Sequence, residues 1–165
     1  MSQSVPLSRL LARPVDYDAT RAAPSAAQPP PTLGALAVDA AEFSGLRYKV
    51  PSGYLVRELR GAKMRTTAGV FDEFAAAFQF PYYFGENKDA FDECLRDLDD
   101  FVGDAAGYVA AIRDSAELLT DEPVERDWFA EAMGDCANYW ARHEVLFCVV
   151  LQGDAPDIRD VLLRL

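Results

Sequence analysis

The sequence predicts an α/β domain built on a small three-stranded parallel sheet packed by helices, with an N-terminal extension. Three observations lead there. Half of the 165 residues are hydrophobic, which supplies a core for one domain plus a tail. Candidate elements over residues 54–152 run strand, helix, helix, strand, helix, strand, an order that helical crossovers between parallel strands satisfy. The last strand candidate, Val145 to Leu151, is apolar throughout, the pattern of a strand covered on both faces.

Residues 1–32 hold six of the ten prolines among Ala, Ser and Arg, a composition that buries too little surface to offset ordering entropy, so they are expected to form a flexible arm. Residues 33–53 read as a peripheral addition. There Leu36, Ala40 and Phe43 suit a short helix, while Leu46, Tyr48 and Val50 alternate like a strand before Pro51 and Gly53. Tyr54 to Leu59 is the first core strand, closed by Gly61. Thr66 or Thr67 can cap the next helix, whose apolar face is Val70, Phe71, Phe74, Ala77 and Phe78, and Pro81 prevents its continuation.

An aromatic loop, Pro81 to Gly85, leads into the most informative helix. Gly85 offers a permissive turn and Asn87 a cap, after which Phe91, Cys94, Leu95 and Leu98 form one apolar stripe. Glu86, Asp89, Glu93 and Asp97 fall on the opposite face at spacings of three and four, where like charges repel, so helix stability does not ask for them. They are either a solvated face or an interaction surface. Tyr82, Tyr83 and Phe84 are likewise either core or contact residues. Beyond Gly103 and Gly107, Tyr108 to Ile112 is the second strand and Leu118-Leu119 a short helical turn. Asp121 and Pro123 then open a long helix with Val124, Trp128, Phe129, Met133, Cys136 and Trp140 on its buried side. Residues 153–165 are a C-terminal tail with room for a short helix.

Charge narrows the function classes. The net charge is −11, and residues 86–104 alone carry eight acids against Lys88 and Arg96, which opposes nucleic-acid or anionic-membrane binding and favours a basic partner. Cys94, Cys136 and Cys148 lack C-x-x-C spacing and sit in apolar segments, so buried free thiols are expected. No N-terminal leader pattern and no apolar run near ~20 residues is visible, from which a cytoplasmic protein is expected. His143 stands between Arg142 and Glu144 without a nucleophile motif, and the run Asp97 to Asp104 places Phe101 and Val102 where a calcium loop needs a ligand and a glycine. Neither enzyme activity, cofactor nor metal is therefore expected.

At Pro81, Tyr83, Phe84, Gly85, Asn87, Asp89, Ala90 and Phe91 the chain resembles the barstar-related family of intracellular inhibitors of microbial ribonucleases, whose signature is P-x-Y-Y/F-G-x-N-x-D-A-(L/F). The resemblance continues through Leu95, and the order of elements extends it over residues 54–152. It implies a bacterial cytoplasmic protein, monomeric when free, that binds a basic ribonuclease through Tyr83, Phe84, Gly85, Asn87, Asp89, Asp92 and Glu93. Asp89 and Glu93 would meet the cations that hold substrate phosphate, while Tyr83, Phe84 and Asn87 seal and orient the edge. Three departures make this face more charged than in relatives: Glu93 for an aspartate, Asp92 for an aromatic residue and Lys88 for an apolar or aromatic one. For the family's further acidic contact near the last helix, Glu144 is the nearest candidate. Two other readings remain: an immunity or antitoxin module for another basic toxin or cellular protein on the same scaffold, and an enzyme using the Asp89–Glu93 pair, which one-turn-apart surface acids without a supporting shell disfavour.

Overall fold

The computed structural model describes residues 4–14 and 31–165. Its strands are β1 (Val5–Pro6), β2 (Leu33–Leu36), β3 (Tyr54–Arg60), β4 (Gly107–Arg113), β5 (Leu146–Gln152) and β6 (Val161–Arg164). The helices are α1 (Leu7–Leu10), α2 (Ala40–Ser44), α3 (Thr67–Phe78), α4 (Lys88–Leu95), α5 (Leu98–Val102) and α6 (Arg126–Ala141). All strand pairings are parallel, in the order β1-β6-β2-β5-β4-β3.

The expected three-stranded unit is the β5-β4-β3 part of this sheet, with Leu55 opposite Tyr108 and Val109 opposite Cys148. Among the described residues the strand count is corrected to six. β2 pairs along β5 from Leu33 opposite Val149, and β6 then pairs along β2. The omission has a physical reason: Leu33-Gly34-Ala35-Leu36 is four residues without period-two contrast, and Val161-Leu162-Leu163-Arg164 is a short apolar run that suits helix or strand equally. Gly34 leaves room for the Leu163 side chain of β6, since a Cβ there would lie 2.6 Å from Leu163 Cδ1. Val161–Arg164 of the tail is accordingly a strand rather than the expected short helix, and residues 153–160 are irregular.

One face of the sheet, including Tyr108, Ala110, Ile112, Phe147, Val149 and Leu151, packs beneath Phe74, Phe78, Phe91, Leu95, Phe129 and Met133. The other, through Leu36, Val109, Ala111, Cys148 and Val150, is covered by Leu7, Leu10, Leu11, Phe43 and Leu46. The free-arm expectation therefore does not describe residues 5–11, which form β1 and α1 and bury three leucines. Residues 15–30 of the proposed arm lie outside the described residues. Within 33–53 the short helix forms at Ala40–Ser44, with Phe43 buried, but Leu36 belongs to the preceding strand, and the expected strand at Leu46, Tyr48 and Val50 is instead a 3-10 turn over Gly45–Tyr48 with Tyr48 exposed.

Thr66 caps α3 by accepting from Gly69 N–H at 3.1 Å, and Gln79 closes the helix in the left-handed region at φ 58°. Glu73, buried on α3, accepts from Arg60 N–H at 3.0 Å and from the Arg60 guanidinium at 2.6 Å, which joins α3 to the end of β3. Val124 is corrected from buried to exposed, at 84%, because Pro123–Glu125 forms a 3-10 turn ahead of α6 and shifts it off the helical stripe. Cys94, Cys136 and Cys148 are free and buried. Among the described residues no helix is long and apolar enough to cross a membrane.

Candidate binding face on the acidic helix

The loop before α4 is built from inside outward. Phe84 is half-buried and meets Phe71 and Phe80 edge-on, at centroid distances of 5.8 and 5.2 Å, so it fastens the loop to α3. Tyr82 and Tyr83 point out instead, 100% and 67% exposed, with their rings T-shaped at 5.6 Å. The expected tyrosine and phenylalanine of the face thus divide: Tyr83 is presented to solvent, and Phe84 supports the loop with only part of its surface accessible.

Asn87 caps α4 as expected, its Oδ1 accepting from Ala90 N–H at 2.9 Å. Its Nδ2 donates to Gly85 O at 3.2 Å, and a Cβ on Gly85 would lie 3.0 Å from that nitrogen. The left-handed residue of the turn is Glu86, at φ 50°, rather than Gly85. Gly85 is thus wanted for close approach of the cap side chain.

Phe91, Cys94 and Leu95 are the buried stripe of α4. The helix stops at Leu95, two turns after it starts, and Asp97 at φ −117° leads into α5, which carries the buried Leu98. The four-acid stripe read from spacing is therefore interrupted. Glu86 precedes the helix, Asp97 follows it, and only Asp89 and Glu93 share its outer surface. Both are exposed, and among the described residues neither carboxylate forms an ion pair or hydrogen bond. The Asp97 to Asp104 run is mostly α5, and among the described residues no group of three or more His, Cys, Asp or Glu could hold a metal.

Asp92 is half-buried and turned toward α6. It lines a cleft of about 280 Å³ with Arg96, Asp135, Asn138, Tyr139 and Arg142 over a floor that includes Leu95, Ala132 and Cys136. Loss of hydration, then Asp135, Asp89 and Glu131, raise its carboxyl above the ordinary aspartate value, while Arg96 opposes them. Glu131 and Asp135 were missed by sequence reading. Their four-residue spacing was visible, but that they face α4 follows only from helix packing. Glu144 lies in the left-handed turn after α6, at φ 61°, and does not line this cleft. Lys88, also exposed, reaches from α4 to Glu125 Oε2 at 2.6 Å and lies 5.0 Å from the Trp128 ring centre.

α4 is held in position through its own carbonyl end. Leu95 O, an orphan acceptor at the helix terminus, receives the Trp140 indole N–H at 2.8 Å and the Cys136 thiol at 3.7 Å, both from α6. The outer face of α4, its tyrosine-bearing loop and the α4–α6 cleft are consequently parts of one fixed surface.

A family model described as Barstar (barnase inhibitor) matches residues 54–152, from the start of β3 to the end of β5. No curated protein sequence matches the chain. The matched region covers more than half of the chain, contains the capped acidic helix with its aromatic loop, and leaves β1, β2 and β6 outside as additions to the sheet. The chain belongs to the barstar, or barnase inhibitor, family.

Proposed function

We propose that this protein inhibits a basic ribonuclease by laying α4 and the preceding loop across its active site. The observation that carries the reading is the isolation of Asp89 and Glu93: two neighbouring carboxylates on a rigid helix, with no cation of their own among the described residues. A stable free protein has little use for such a pair, whereas a site that binds RNA phosphate presents the cations to complement it. Asp89 and Glu93 take the place of phosphate charge. Tyr83 supplies apolar contact with a polar tip, Phe84 braces it, Gly85 and Asn87 fix the entry of the helix, and Asp92 extends the acidic surface toward α6. The protein acts by occlusion and has no catalytic residue, cofactor or metal. It serves as a cytoplasmic antitoxin-type guard, a monomer until it meets its nuclease.

The test is titration of the protein into barnase and into basic ribonucleases from the same cells while RNA cleavage is followed. Cleavage should fall to zero at one inhibitor per enzyme for the cognate nuclease. Asp89→Ala and Glu93→Ala should each weaken that complex about 30-fold or more, because the nuclease cations would be left buried and unpaired. Undiminished cleavage by all of them at molar excess, or full inhibition by both variants, would refute the proposal.

A further inference from the structure

Lys88 is a cation at the end of a helix that favours anions. It is the first residue of α4, where free backbone N–H groups carry partial positive charge, and Asp89 follows it directly. Its ammonium is drawn aside to Glu125 Oε2 at 2.6 Å, on the turn that precedes α6, and to the face of Trp128 at 5.0 Å. The contact is lopsided in exposure: the Lys88 side chain stays 46% exposed, while that of Glu125 is only 26% exposed. An acid at the flank of α4 is thereby cancelled from within the molecule. What faces outward at that place is an ammonium with protons still to donate.

Resting on the inhibitor reading, the geometry points to Lys88 as a specificity-determining residue: clamped by Glu125 and Trp128, it silences the acid at this flank and selects basic partners that present a neutral or acidic group opposite it. A nuclease cation brought there meets a like charge fixed in place and loses affinity, whereas a carbonyl or carboxylate gains a charged donor. The Asp89–Glu93 pair attracts basic proteins in general, and Lys88 rejects some of them.

Barnase is the probe. Its affinity is measured by calorimetry for the parent, Lys88→Met, Lys88→Arg, Glu125→Gln and the double variant Lys88→Met/Glu125→Gln. Lys88→Met removes the cation and releases Glu125, so binding should tighten about tenfold, or appear where the parent shows none. Glu125→Gln leaves the ammonium uncompensated and should weaken binding. The double variant should fall between them, and Lys88→Arg should stay within about threefold of the parent. Lys88→Gln repeats the charge removal should methionine disturb packing on Trp128. No gain with either uncharged side chain, in proteins whose melting shows them folded, overturns the assignment, as does absence of binding by every variant. Asp89→Ala, added to Lys88→Met, separates the two claims. Loss of binding with Asp89→Ala but no gain with Lys88→Met sinks the specificity role alone, and a gain that Asp89→Ala does not abolish sinks the inhibitor reading.

Discussion

Asp89 and Glu93 stand one turn apart with no compensating cation among the described residues, so their repulsion, which the helix N-terminus offsets in part at Asp89, weighs on the free protein while equipping it to bind. Replacing either with alanine should leave the melting temperature unchanged or slightly higher even as affinity falls. A variant that unfolds would show its carboxylate to be structural. Asp92 allows a sharper test because its carboxyl is raised by desolvation, then by Asp135, Asp89 and Glu131. An acid with a raised folded-state value is penalised in the native state when ionised. That penalty is fully present above the folded value and vanishes once pH falls below the unfolded one, near ~3.9. Asp92→Asn should therefore raise the melting temperature at pH 7, and the gain should fade below about pH 4. Equal gain at pH 3 and pH 7 would mean that the effect is one of packing. Glu73 has the opposite sign: burial pushes its carboxyl up, but the Arg60 hydrogen bonds and charge outweigh this and hold it below the usual glutamate range. Its contribution is present at neutral pH and is lost as pH falls through that lowered value.

At the scale of elements, α4 is two turns long and could not hold its place by helix propensity alone. Its apolar stripe and the Trp140 hydrogen bond to Leu95 O attach it to the core. Trp140→Phe keeps an aromatic ring but leaves that carbonyl without its strong donor, at a cost of about 1–3 kcal/mol in denaturant unfolding, to which lost volume adds. An unchanged midpoint would show that the indole N–H is dispensable. The same helix marks what could be read in advance. Asn87 as cap, Phe91, Cys94 and Leu95 as stripe, and Pro81 as breaker are local signals, and each stands where spacing put it. The break at Arg96 and Asp97 was illegible because the apolar period runs unbroken through Leu98, and only tertiary packing sends that residue into a second helix. Which acids cross from α6 was equally hidden. β2 and β6 are short and acquire their identity from β5 and from each other, so neither declares itself alone.

For the molecule as a whole, the additions outside the family-matched region complete the second face of the sheet. Leu7, Leu10 and Leu11 are 6%, 0% and 3% exposed against a layer that includes Val109 and Val150. At about 1.5–3 kcal/mol for each fully buried leucine, a chain beginning at Ala12 should lose on the order of 5 kcal/mol. Coincident melts of the two chains would mean that the N-terminal segment is an appendage, as its composition suggested. The charge distribution acts over the same scale but in the other direction. Of the net −11, residues 86–104 supply −6, concentrated on α4, α5 and the segments flanking them, so the free protein carries a lobe of negative potential around the proposed docking face. A basic nuclease should be drawn in along that field. Its association rate should fall steeply between low salt and 0.1 M, where screening extends ~10 Å, while dissociation changes little because the contacts themselves are close. Asp99→Ala and Asp104→Ala separate steering from contact. Both acids lie beyond α4, on α5 and after it, so their loss should slow association and leave dissociation unchanged, whereas Asp89→Ala should accelerate dissociation. Stopped-flow association at graded salt distinguishes these cases, and a salt-independent rate would mean that the acidic lobe does not guide the encounter.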